Sequence, residues 1–390
     1  MKIDNGIYVL SLFDGISCGQ QALDRIGIKV LKYFSSEVDK YAIQVTRCNF
    51  PNTTFIGSVT DVEIIDIGNG YVSINGHEPI DINKLILIGG SPCQGFSFVG
   101  KLKGASTKCN IEITSLEQYL ELKASEFDFE GQSYLFWEYI RVLNTLRKIS
   151  SNVPFLLENV KMSKKWKNVF DTAAGVSPVL INSELLSAQM RPRYYWTSLS
   201  NNIMQPSDKK IFISDILEKS VEDKYYLSEK AISYINRDDR INKKLTSING
   251  EKSLCLMSQY DQSKNGTFLC VDSNGRIDGY KTGALTQRYY KGNENYGSNP
   301  FILDTESHKY RKFTPIECER LQTVRDDYTA QGKDENFKDV IISNTQRYKM
   351  LGNCWTVEVI SYLFDNLINK DRYFDNIDKI TNMVFFNKIA

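Results

Sequence analysis

The sequence predicts an α/β protein with a doubly wound, mostly parallel β-sheet and a smaller domain inserted late in the chain. Two observations support this prediction. Short apolar runs alternate with helix-like patterns over the first half, and a region rich in Tyr, Asn, Ser and Gly follows from about residue 198 to 339. A chain of 390 residues also has room for about two or three domains.

The predicted elements follow one another in βαβ order. The chain starts with the strand "IYVLSLF", the helix "GQQALDRIG", the strand "VLKYFSSE", a helix from Asp39, and the strands "TTFIGSV" and "KLILIGG". Later come the helix "SYLFWEYIRVLNTLRK", the strand "PFLLENV", the helix "KKWKNVFDTAAG" and paired strands around "PVLINSELLS" and "RPRYYWTSL". Ligands of such sheets bind beyond the carboxyl ends of the strands.

Composition and cysteine usage exclude several protein classes. Hydrophobic residues make up 42% and charged residues 24%, and the apolar runs are too short for a membrane span or a signal peptide. We therefore expect a cytoplasmic protein. The eight cysteines form no CxxC pair, and His77 and His308 are the two histidines of the chain. Both facts argue against a zinc site or other metal site and against a disulfide framework, so the thiols are expected to be reduced.

Two strand ends predict a nucleotide-like cofactor. After the first strand, "FDGISCG" supplies Gly15 and Gly19, which allow a tight turn, although the segment is not a GxGxxG fingerprint. After the second strand comes Glu37, about twenty residues past the glycines, where a carboxylate can accept hydrogen bonds from ribose hydroxyls. A plain turn and a solvated glutamate would explain either feature taken singly.

Cys93 in "GGSPCQGFSF" follows the strand "KLILI" and has three interpretations: a small buried side chain, a metal ligand or a nucleophile. A Cys–His hydrolase would need His77 or His308 beside it, and neither lies in a segment typical of an active-site turn. The order of the surrounding motifs separates these alternatives.

Six motifs occur in one order along the chain: the glycine turn, "SPCQ", "ENV", "QMRPR", "RKFTPIECERLQT" at 311–323 and "RYKMLGNCW" at 347–355. Together they resemble the cytosine-5 DNA methyltransferase family. The resemblance implies an S-adenosylmethionine-dependent methyltransferase fold, with S-adenosyl-L-homocysteine as product and double-stranded DNA as substrate. It also implies a catalytic and cofactor domain at 1–197, a target-recognition domain at 198–339 and a returning segment at 340–390.

Chemistry explains the residue types of these motifs. Carbon 5 of cytosine is a poor nucleophile until a thiolate adds to carbon 6, so the resemblance makes Cys93 the nucleophile. Glu158 would hydrogen-bond the ring nitrogen and amine, while Arg193, with Arg191 and Gln189, would contact the base oxygen and a phosphate. The implied cofactor residues are Phe13, Asp14, Gly15, Ile16, Ser17, Cys18, Gly19, Glu37, Val38, Ser58, Val59, Asp61, Asn353, Cys354 and Trp355.

DNA contacts are predicted from local basic segments, because the net charge of the chain is only +1. The segment "YKTGALTQRYYKG" at 280–292 contains Lys281, Arg288 and Lys291 among tyrosines and has no acid. A second basic stretch, "KMSKKWK" at 161–167, also fits a solvated helix start. The first part of the polar segment from Gly95 to Gln132 is a candidate loop over a flipped base. Its later part, "SLEQYLELKASEF", predicts a short helix, an insertion with no role in the family pattern.

Several positions depart from the family pattern. Ser58 stands where most members have an Asp that contacts the adenine amine, and Asp61 is the alternative contact. Cys354 and Trp355 are more similar to the animal de novo methyltransferases. Lys-, Asn- and Ile-rich composition fits a bacterial or phage enzyme from an AT-rich genome. Association with the nucleoid, a monomeric state and a possible cognate restriction endonuclease are further expectations. A transfer-RNA cytosine methyltransferase and a non-catalytic DNA-binding relative are the competing functions.

Overall fold

The computed structural model describes residues 6–93, 111–129, 131–199, 203–229, 267–271, 282–283, 300–304 and 309–368. These residues fall into two compact units. One comprises the chain up to Ile181, Arg193–Gln205 and the chain from Val359; the other comprises Asn182–Pro192 and Pro206–Glu358. None of the helices in these ranges has both the length and the apolar character that crossing a bilayer requires.

The strands are numbered along the chain as β1 (Ile7–Leu12), β2 (Val30–Ser36), β3 (Thr54–Phe55), β4 (Ile64–Gly68), β5 (Tyr71–Ile74), β6 (Ile80–Asp81), β7 (Leu85–Gly90), β8 (Phe155–Val160), β9 (Val179–Asn182), β10 (Gln189–Met190), β11 (Pro192–Thr197), β12 (Thr267–Val271), β13 (Thr282–Gly283), β14 (Pro300–Asp304), β15 (Lys309–Lys312), β16 (Gln331–Lys333) and β17 (Asp339–Ile341). The helices are α1 (Cys18–Arg25), α2 (Lys40–Asn49), α3 (Leu116–Ala124), α4 (Phe136–Ile149), α5 (Lys164–Ala174), α6 (Pro315–Leu321), α7 (Asn344–Asn353) and α8 (Val357–Ile368).

A seven-stranded sheet with the order β3-β2-β1-β7-β8-β11-β9 forms the centre of the first unit. The pairs β2–β3, β1–β2, β1–β7 and β7–β8 are parallel, and β11 runs antiparallel to β8. The strand order reverses between β1 and β7, so their carboxyl ends open a crevice of the kind that binds ligands in doubly wound sheets. The predicted α/β fold class is confirmed.

Burial on both faces explains the apolar runs of the central strands. Leu85, Ile86, Leu87 and Ile88 of β7 are all fully buried, and β8 begins with three fully buried apolar residues. At the end of β7, Gly89 has no room for a side chain, since a Cβ atom there would lie 2.8 Å from the carbonyl oxygen of Leu12. A glycine is therefore required where β1 approaches β7.

A small three-stranded meander, β4-β5-β6, interrupts the βαβ order before β7 and was not among the predicted elements. It had a sequence signal. "NG" occurs twice, at 69–70 and 75–76, and Asn69 and Asn75 both have positive φ, as tight hairpin turns require. The alternation of apolar and polar residues around these turns was too short to stand out beside the longer strands.

The second unit contains a short helix, α6, whose start explains the motif "RKFTPIECERLQT". Thr314 accepts a hydrogen bond from the amide of Glu317 at 3.1 Å, and the Glu317 carboxylate accepts one from the amide of Thr314 at 2.8 Å. Arg311 pairs with the same buried carboxylate at 2.8 Å. This capping box fixes the first turn of the helix, so the motif serves a structural role in this unit.

The units divide the chain differently from the predicted boundaries at 197 and 340. The segment 340–358, including α7, belongs to the second unit, and the chain returns to the first unit from Val359. The reason is a set of hydrogen bonds, described below, that hold the end of α7 to Arg191 and Gln322. Within the first unit the later part of α8 reaches α1, where the Ser361 hydroxyl donates to the carbonyl of Ala22 at 3.4 Å.

Candidate active site

The glycine turn after β1 adopts an unusual backbone. Phe13, Gly15 and Ser17 have φ values of 57°, 57° and 54°, so alternate residues lie in the left-handed region. Among the described residues, no atom lies within 4 Å of the position a Gly15 Cβ would take. The turn thus leaves open space beside its backbone, as close approach of a ligand requires.

Asp14 holds this turn from inside the protein. Its buried carboxylate accepts hydrogen bonds from the hydroxyls of Ser11 and Tyr33, both at 2.6 Å, from Ser35 at 2.8 Å and from Ser17. Burial raises the pKa of Asp14, and these four donors partly oppose that effect. The carboxylate oxygens are thus used within the turn, and the expected contact of Asp14 with the cofactor stays a prediction.

Glu37 lies at the end of β2, next to the glycine turn. One carboxylate oxygen accepts a hydrogen bond from the amide of Gly15 at 2.7 Å, and the other accepts from the amides of Val38 and Asp39 at 2.7 and 2.8 Å. Burial raises the pKa of Glu37, opposed by these three amides. Val38 beside it is 69% exposed, an unusual position for valine in a folded chain. The carboxylate is fixed in place and its neighbourhood is open.

The turn after β3, residues 58–62, carries the two candidate adenine contacts. The hydroxyl of Ser58 lies 2.7 Å from that of Thr60, which donates to the exposed carboxylate of Asp61 at 3.0 Å. Val59 is buried and anchors the turn in the core. Ser58 and Asp61 are therefore linked through Thr60, and their oxygens form one small acceptor group rather than two alternatives.

Asn353 is the last residue of α7 in the second unit, and Cys354 and Trp355 follow it. Cys354 is buried and its thiol contacts the carbonyl of Leu351 at 3.4 Å, whereas Asn353 is exposed. Arg191 donates to the carbonyls of Gly352 and Cys354, both at 3.1 Å. The buried guanidinium of Arg191 thus holds the backbone of this turn, and its expected contact with the base oxygen or a phosphate stays a prediction.

Gln189 has a similar internal role. It is fully buried, and its amide donates to the carbonyl of Leu321 at 3.2 Å, at the end of α6. Gln322, the next residue, donates to the carbonyl of Leu351 at 2.7 Å. Complete burial and this bond give Gln189 a structural role in the second unit, and its expected contact with the base stays a prediction.

Cys93 lies three residues beyond the end of β7, as a half-buried thiol. The turn that carries it is tied to β8, because the side-chain amide of Asn159 donates to the carbonyl and the hydroxyl of Ser91 at 3.1 and 3.0 Å. Asn159 is itself 1% exposed. A buried amide that makes these bonds fixes the chain two residues before the thiol.

Glu158 and Arg193 form an ion pair, with 3.0 Å between Nε of the arginine and the carboxylate. In the sheet register Glu158 lies opposite Tyr195 on β11 and beside Gly90 on β7. Arg193 is two residues from Tyr195, so both charged side chains lie on one face of the sheet. The register therefore brings Glu158, Arg193 and the strand end that leads to Cys93 together.

Sequence reasoning missed two contributors to this site. Glu138 and Arg141 of α4 are joined at 2.6 Å, and Arg141 also binds the turn after β3 through the carbonyls of Val59 and Val62. Their i, i+3 spacing with opposite charges was a weak signal, since most such pairs are solvated. The full burial of Glu138 is the feature that sets this pair apart, and it is not visible in the sequence.

The family model of the C-5 cytosine-specific DNA methylases matches residues 7–369 of this chain. The chain belongs to that family. It is a DNA cytosine-5 methyltransferase, as the motif order predicted, and it transfers a methyl group from a donor to DNA. The sheet order, the glycine turn and the strand-end cysteine of this DNA methylase are thus parts of one catalytic fold.

Two curated relatives of the methylase match over most of its length. Type II methyltransferase M1.ScrFI of Lactococcus lactis subsp. cremoris is 28% identical over 87% of this chain and 72% of its own. Orphan methyltransferase M.SPRI of Bacillus phage SPR is 26% identical over 93% of this chain and 97% of its own. Among solved structures, the Entamoeba histolytica methyltransferase EhMeth shares the fold with a TM-score of 0.56 at 17% identity, covering 94% of this chain and all of the other.

The predicted DNA contacts Lys281, Arg288 and Lys291 lie outside the described residues, as does the start of the candidate loop from Gly95. The later part of that segment is described, and the predicted short helix is present as α3. Whether this methylase binds DNA through 280–292 stays a prediction.

Proposed function

We propose that this methylase takes the methyl group from S-adenosylmethionine and transfers it to carbon 5 of a cytosine flipped out of duplex DNA. The observation that carries the proposal is the register of β7, β8 and β11, which brings the Glu158–Arg193 ion pair beside the strand end leading to Cys93. A base-modifying enzyme needs a flipped base because its target atom is inaccessible inside the stack.

The glycine turn and Glu37 fit the methyl donor. The open space beside Gly15 lets a ligand approach the backbone, and the fixed carboxylate of Glu37 can accept hydrogen bonds from ribose hydroxyls. Ser58 and Asp61 offer acceptor oxygens for an exocyclic amine. When bound, S-adenosylmethionine supplies an electrophilic methyl group. Phe13, Ile16, Ser17, Cys18, Gly19, Val38 and Val59 complete the proposed site in the first unit. Cofactor contacts by Asn353, Cys354 and Trp355 stay a prediction.

Cys93 is the proposed nucleophile. Its thiolate forms a bond to carbon 6 of the cytosine, and the electrons of the 5,6 double bond move to carbon 5. Carbon 5 then bonds to the methyl carbon as the bond from that carbon to the donor sulfur breaks, and the bonding electrons stay on the sulfur of the departing S-adenosylhomocysteine. Loss of the proton from carbon 5 and departure of the thiolate from carbon 6 restore the double bond. Ser91 and Asn159 hold the turn so that the sulfur stays in position during both steps.

Glu158 and Arg193 act on the base. Addition of the thiolate places negative charge on the ring, and a carboxyl group at the ring nitrogen and amine stabilises it by hydrogen bonding. Arg193 keeps the Glu158 side chain in one orientation, 3.0 Å away, and its remaining donors can reach the base oxygen. Both roles use groups that the sheet holds before substrate arrives.

Replacement of the nucleophile tests the proposal. Cys93→Ser should abolish methyl transfer while the dissociation constant of S-adenosylhomocysteine stays unchanged, because a neutral hydroxyl does not add to carbon 6. Duplex DNA that contains 5-fluorocytosine should form a covalent adduct with the wild type. An adduct with Cys93→Ser would refute the assignment of the nucleophile.

Glu158→Gln and Glu37→Ala form a second, paired test. Glu158→Gln should lower kcat, and Glu37→Ala should weaken cofactor binding, because the two carboxylates serve different substrates. Titration with S-adenosylhomocysteine separates them, and equal loss of cofactor by both variants would contradict both roles.

Parallel assays on duplex DNA and transfer RNA test the substrate. The family model and the names of the curated relatives describe DNA enzymes, which favours duplex DNA over transfer RNA. We expect methylation of DNA alone. We further propose a monomeric modification enzyme with a cognate endonuclease as its partner in a restriction–modification system, which the type II relative favours and the orphan relative does not. Co-expression with the genes adjacent to its own, followed by restriction of unmethylated phage DNA, tests that partnership.

A further inference from the structure

The inserted helix α3 is joined to α4 by a buried charge network. Glu138 of α4 is completely buried, and its first carboxylate oxygen accepts hydrogen bonds from the hydroxyl of Tyr119 and the ammonium of Lys123, each at 2.5 Å. Its second oxygen accepts from Nε of Arg141 at 2.6 Å. A buried carboxylate is costly unless it is paired, so these three donors determine where the Glu138 carboxylate lies.

Arg141 extends the network to the turn after β3. Its two terminal nitrogens donate to the carbonyls of Val62 and Val59, at 3.0 and 3.1 Å. Because Nε is bonded to Glu138, each nitrogen of the planar guanidinium has a specific partner. The two bonded carbonyls flank Thr60 and Asp61, so the guanidinium fixes the backbone that presents the Asp61 and Ser58 oxygens.

The contact between α3 and α4 is also an aromatic one. Tyr119 packs against both Phe129 and Tyr134, with ring centroids 5.4 and 6.1 Å away, and Phe129 stacks on Tyr134 at 4.4 Å. Burial, together with the hydrogen bond to Glu138, raises the pKa of Tyr119, which keeps its hydroxyl protonated as a donor. The helix is therefore docked firmly, and Lys123 is its partly exposed ionic contact, with a side chain 38% exposed.

We propose that Lys123 of the inserted helix is a positioning residue for adenine recognition, acting through Glu138 and Arg141 on the Val59–Val62 turn. This inference rests on the proposed function, in which Ser58 and Asp61 contact the adenine amine. It assigns a role to the insertion: α3 supplies two further donors, Tyr119 and Lys123, to the Glu138 carboxylate, and Glu138 in turn orients the guanidinium that holds the turn. When Lys123 is absent, the Glu138–Arg141 pair loses one fixed contact at the Glu138 carboxylate. The turn then no longer has a single conformation.

A nucleoside analogue isolates this effect. S-inosylhomocysteine carries an oxygen where S-adenosylhomocysteine carries the exocyclic amine, so it cannot donate to the Ser58 and Asp61 oxygens. The wild type should bind the adenosyl compound about ten-fold or more tightly than the inosyl compound, as the loss of a hydrogen bond in a polar site predicts. Lys123→Met should reduce this ratio several-fold by weakening the adenosyl compound alone, measured by titration calorimetry.

Three variants make the test specific. Lys167→Met is the matched control, because it removes an ion pair of α5 with Asp171 at 2.6 Å by the same chemical change. It should keep the wild-type ratio. Lys123→Arg restores a cation and should recover the ratio. Arg141→Lys retains the charge but loses the paired hydrogen bonds to the carbonyls of Val59 and Val62. It should lower the ratio of the two affinities as Lys123→Met does.

The outcomes distinguish failure of the positioning role of Lys123 from failure of the proposed function. A wild-type ratio in Lys123→Met, or an equal loss of both compounds, overturns the positioning role and leaves the proposed function intact. If the wild type does not discriminate between the compounds, the adenine contact itself is wrong, and this inference fails with it. Glu37→Ala distinguishes failure of the positioning role from failure of the proposed function. It should weaken the binding of both compounds, because the Glu37 carboxylate is proposed to contact the ribose that they share.

Discussion

The amide of Gly15 donates a 2.7 Å hydrogen bond to the carboxylate of Glu37, 22 residues further along the chain. This bond joins the carboxyl ends of β1 and β2 directly. It holds the carboxylate in one orientation before a ligand arrives, so less conformational entropy is lost when a ribose binds. The same bond makes the affinity for the cofactor depend on the ionisation of one glutamate.

Cofactor affinity should decrease at mildly acidic pH. Burial raises the pKa of Glu37 above its ordinary value of 4.5. As pH falls through the raised pKa, the carboxylate gains a proton and accepts fewer hydrogen bonds from the ribose. Calorimetric titration with S-adenosylhomocysteine should therefore show weakening above pH 4.5, and Glu37→Gln should bind weakly with less dependence on pH. The folded state also retains this proton to a higher pH than the unfolded chain, so ionisation of Glu37 lowers stability as pH rises.

Asn159→Ala should lower kcat by about ten-fold or more and leave the dissociation constant of S-adenosylhomocysteine unchanged, because Ser91 loses both of its bonds to the amide. Single-turnover methylation measures the effect. Ser198→Ala is the control, since the Ser198 hydroxyl bonds the amide of Phe155 at the other end of β8, at 3.1 Å. Equal losses of kcat in both variants would show that the effect comes from general destabilisation of β8 and would contradict a specific role of Asn159 in holding the turn of Cys93.

Gly89→Ala should destabilise the first unit by about 1–3 kcal/mol, the usual cost of overpacking a core. Its Cβ would lie 2.8 Å from the carbonyl of Leu12 and 2.9 Å from the ring of Tyr139. Urea unfolding measures the change. Tyr139→Leu removes the ring but not the Leu12 carbonyl, so the double variant should recover only part of the lost stability. Full recovery would mean that the backbone approach is not limiting.

Arg191→Met and Arg193→Met should differ in kind, although the residues are two apart. Arg191 is buried against the carbonyls of Gly352 and Cys354, so its loss should cost about 2–3 kcal/mol in the unfolding of the second unit. Arg193 pairs with Glu158, and its loss should mainly lower kcat. Denaturation and turnover assays on both variants test this, and similar profiles would contradict the separate roles.

The segment 280–292 should contact phosphates. Each lost phosphate contact reduces the slope of log affinity against log salt by about 0.9 on B-DNA. Lys281→Ala and Lys291→Ala should each flatten the slope and weaken all sequences alike, while Arg288→Ala should also relax sequence choice if it reads a guanine edge. The measurement is duplex affinity at several salt concentrations, with cognate and scrambled sites. A triple variant with wild-type affinity and slope would exclude this segment.

The sheet, its helices and the motif order could be predicted from the sequence, because buried parallel strands form apolar runs and the motifs follow strand ends. Cys93, Glu158 and Arg193 stood at such ends, and their approach follows from strand register. The sequence could not show that Asp14 is enclosed by four hydroxyls, since those donors come from three separate segments, β1, the turn and β2.

The internal roles of Gln189 and Arg191 could also not be predicted from the sequence. Polar residues in a motif suggest substrate contacts, and only burial shows that their donors are taken by backbone carbonyls of α6 and the turn after α7. Glu138 escaped notice for the same reason, because a charged residue on an amphipathic helix normally faces solvent. The roles of Gln189, Arg191 and Glu138 are set by hydrogen bonds to residues distant in the sequence, which a local sequence pattern does not show.

The hydrogen bond from Ser361 to Ala22 spans 339 residues, and it has a consequence for synthesis on the ribosome. The first unit cannot acquire its last helix until the intervening second unit has been translated. Part of the surface of helix α1 therefore stays uncovered while more than three hundred residues are added to the nascent chain. An incomplete nascent chain consequently lacks a finished first unit.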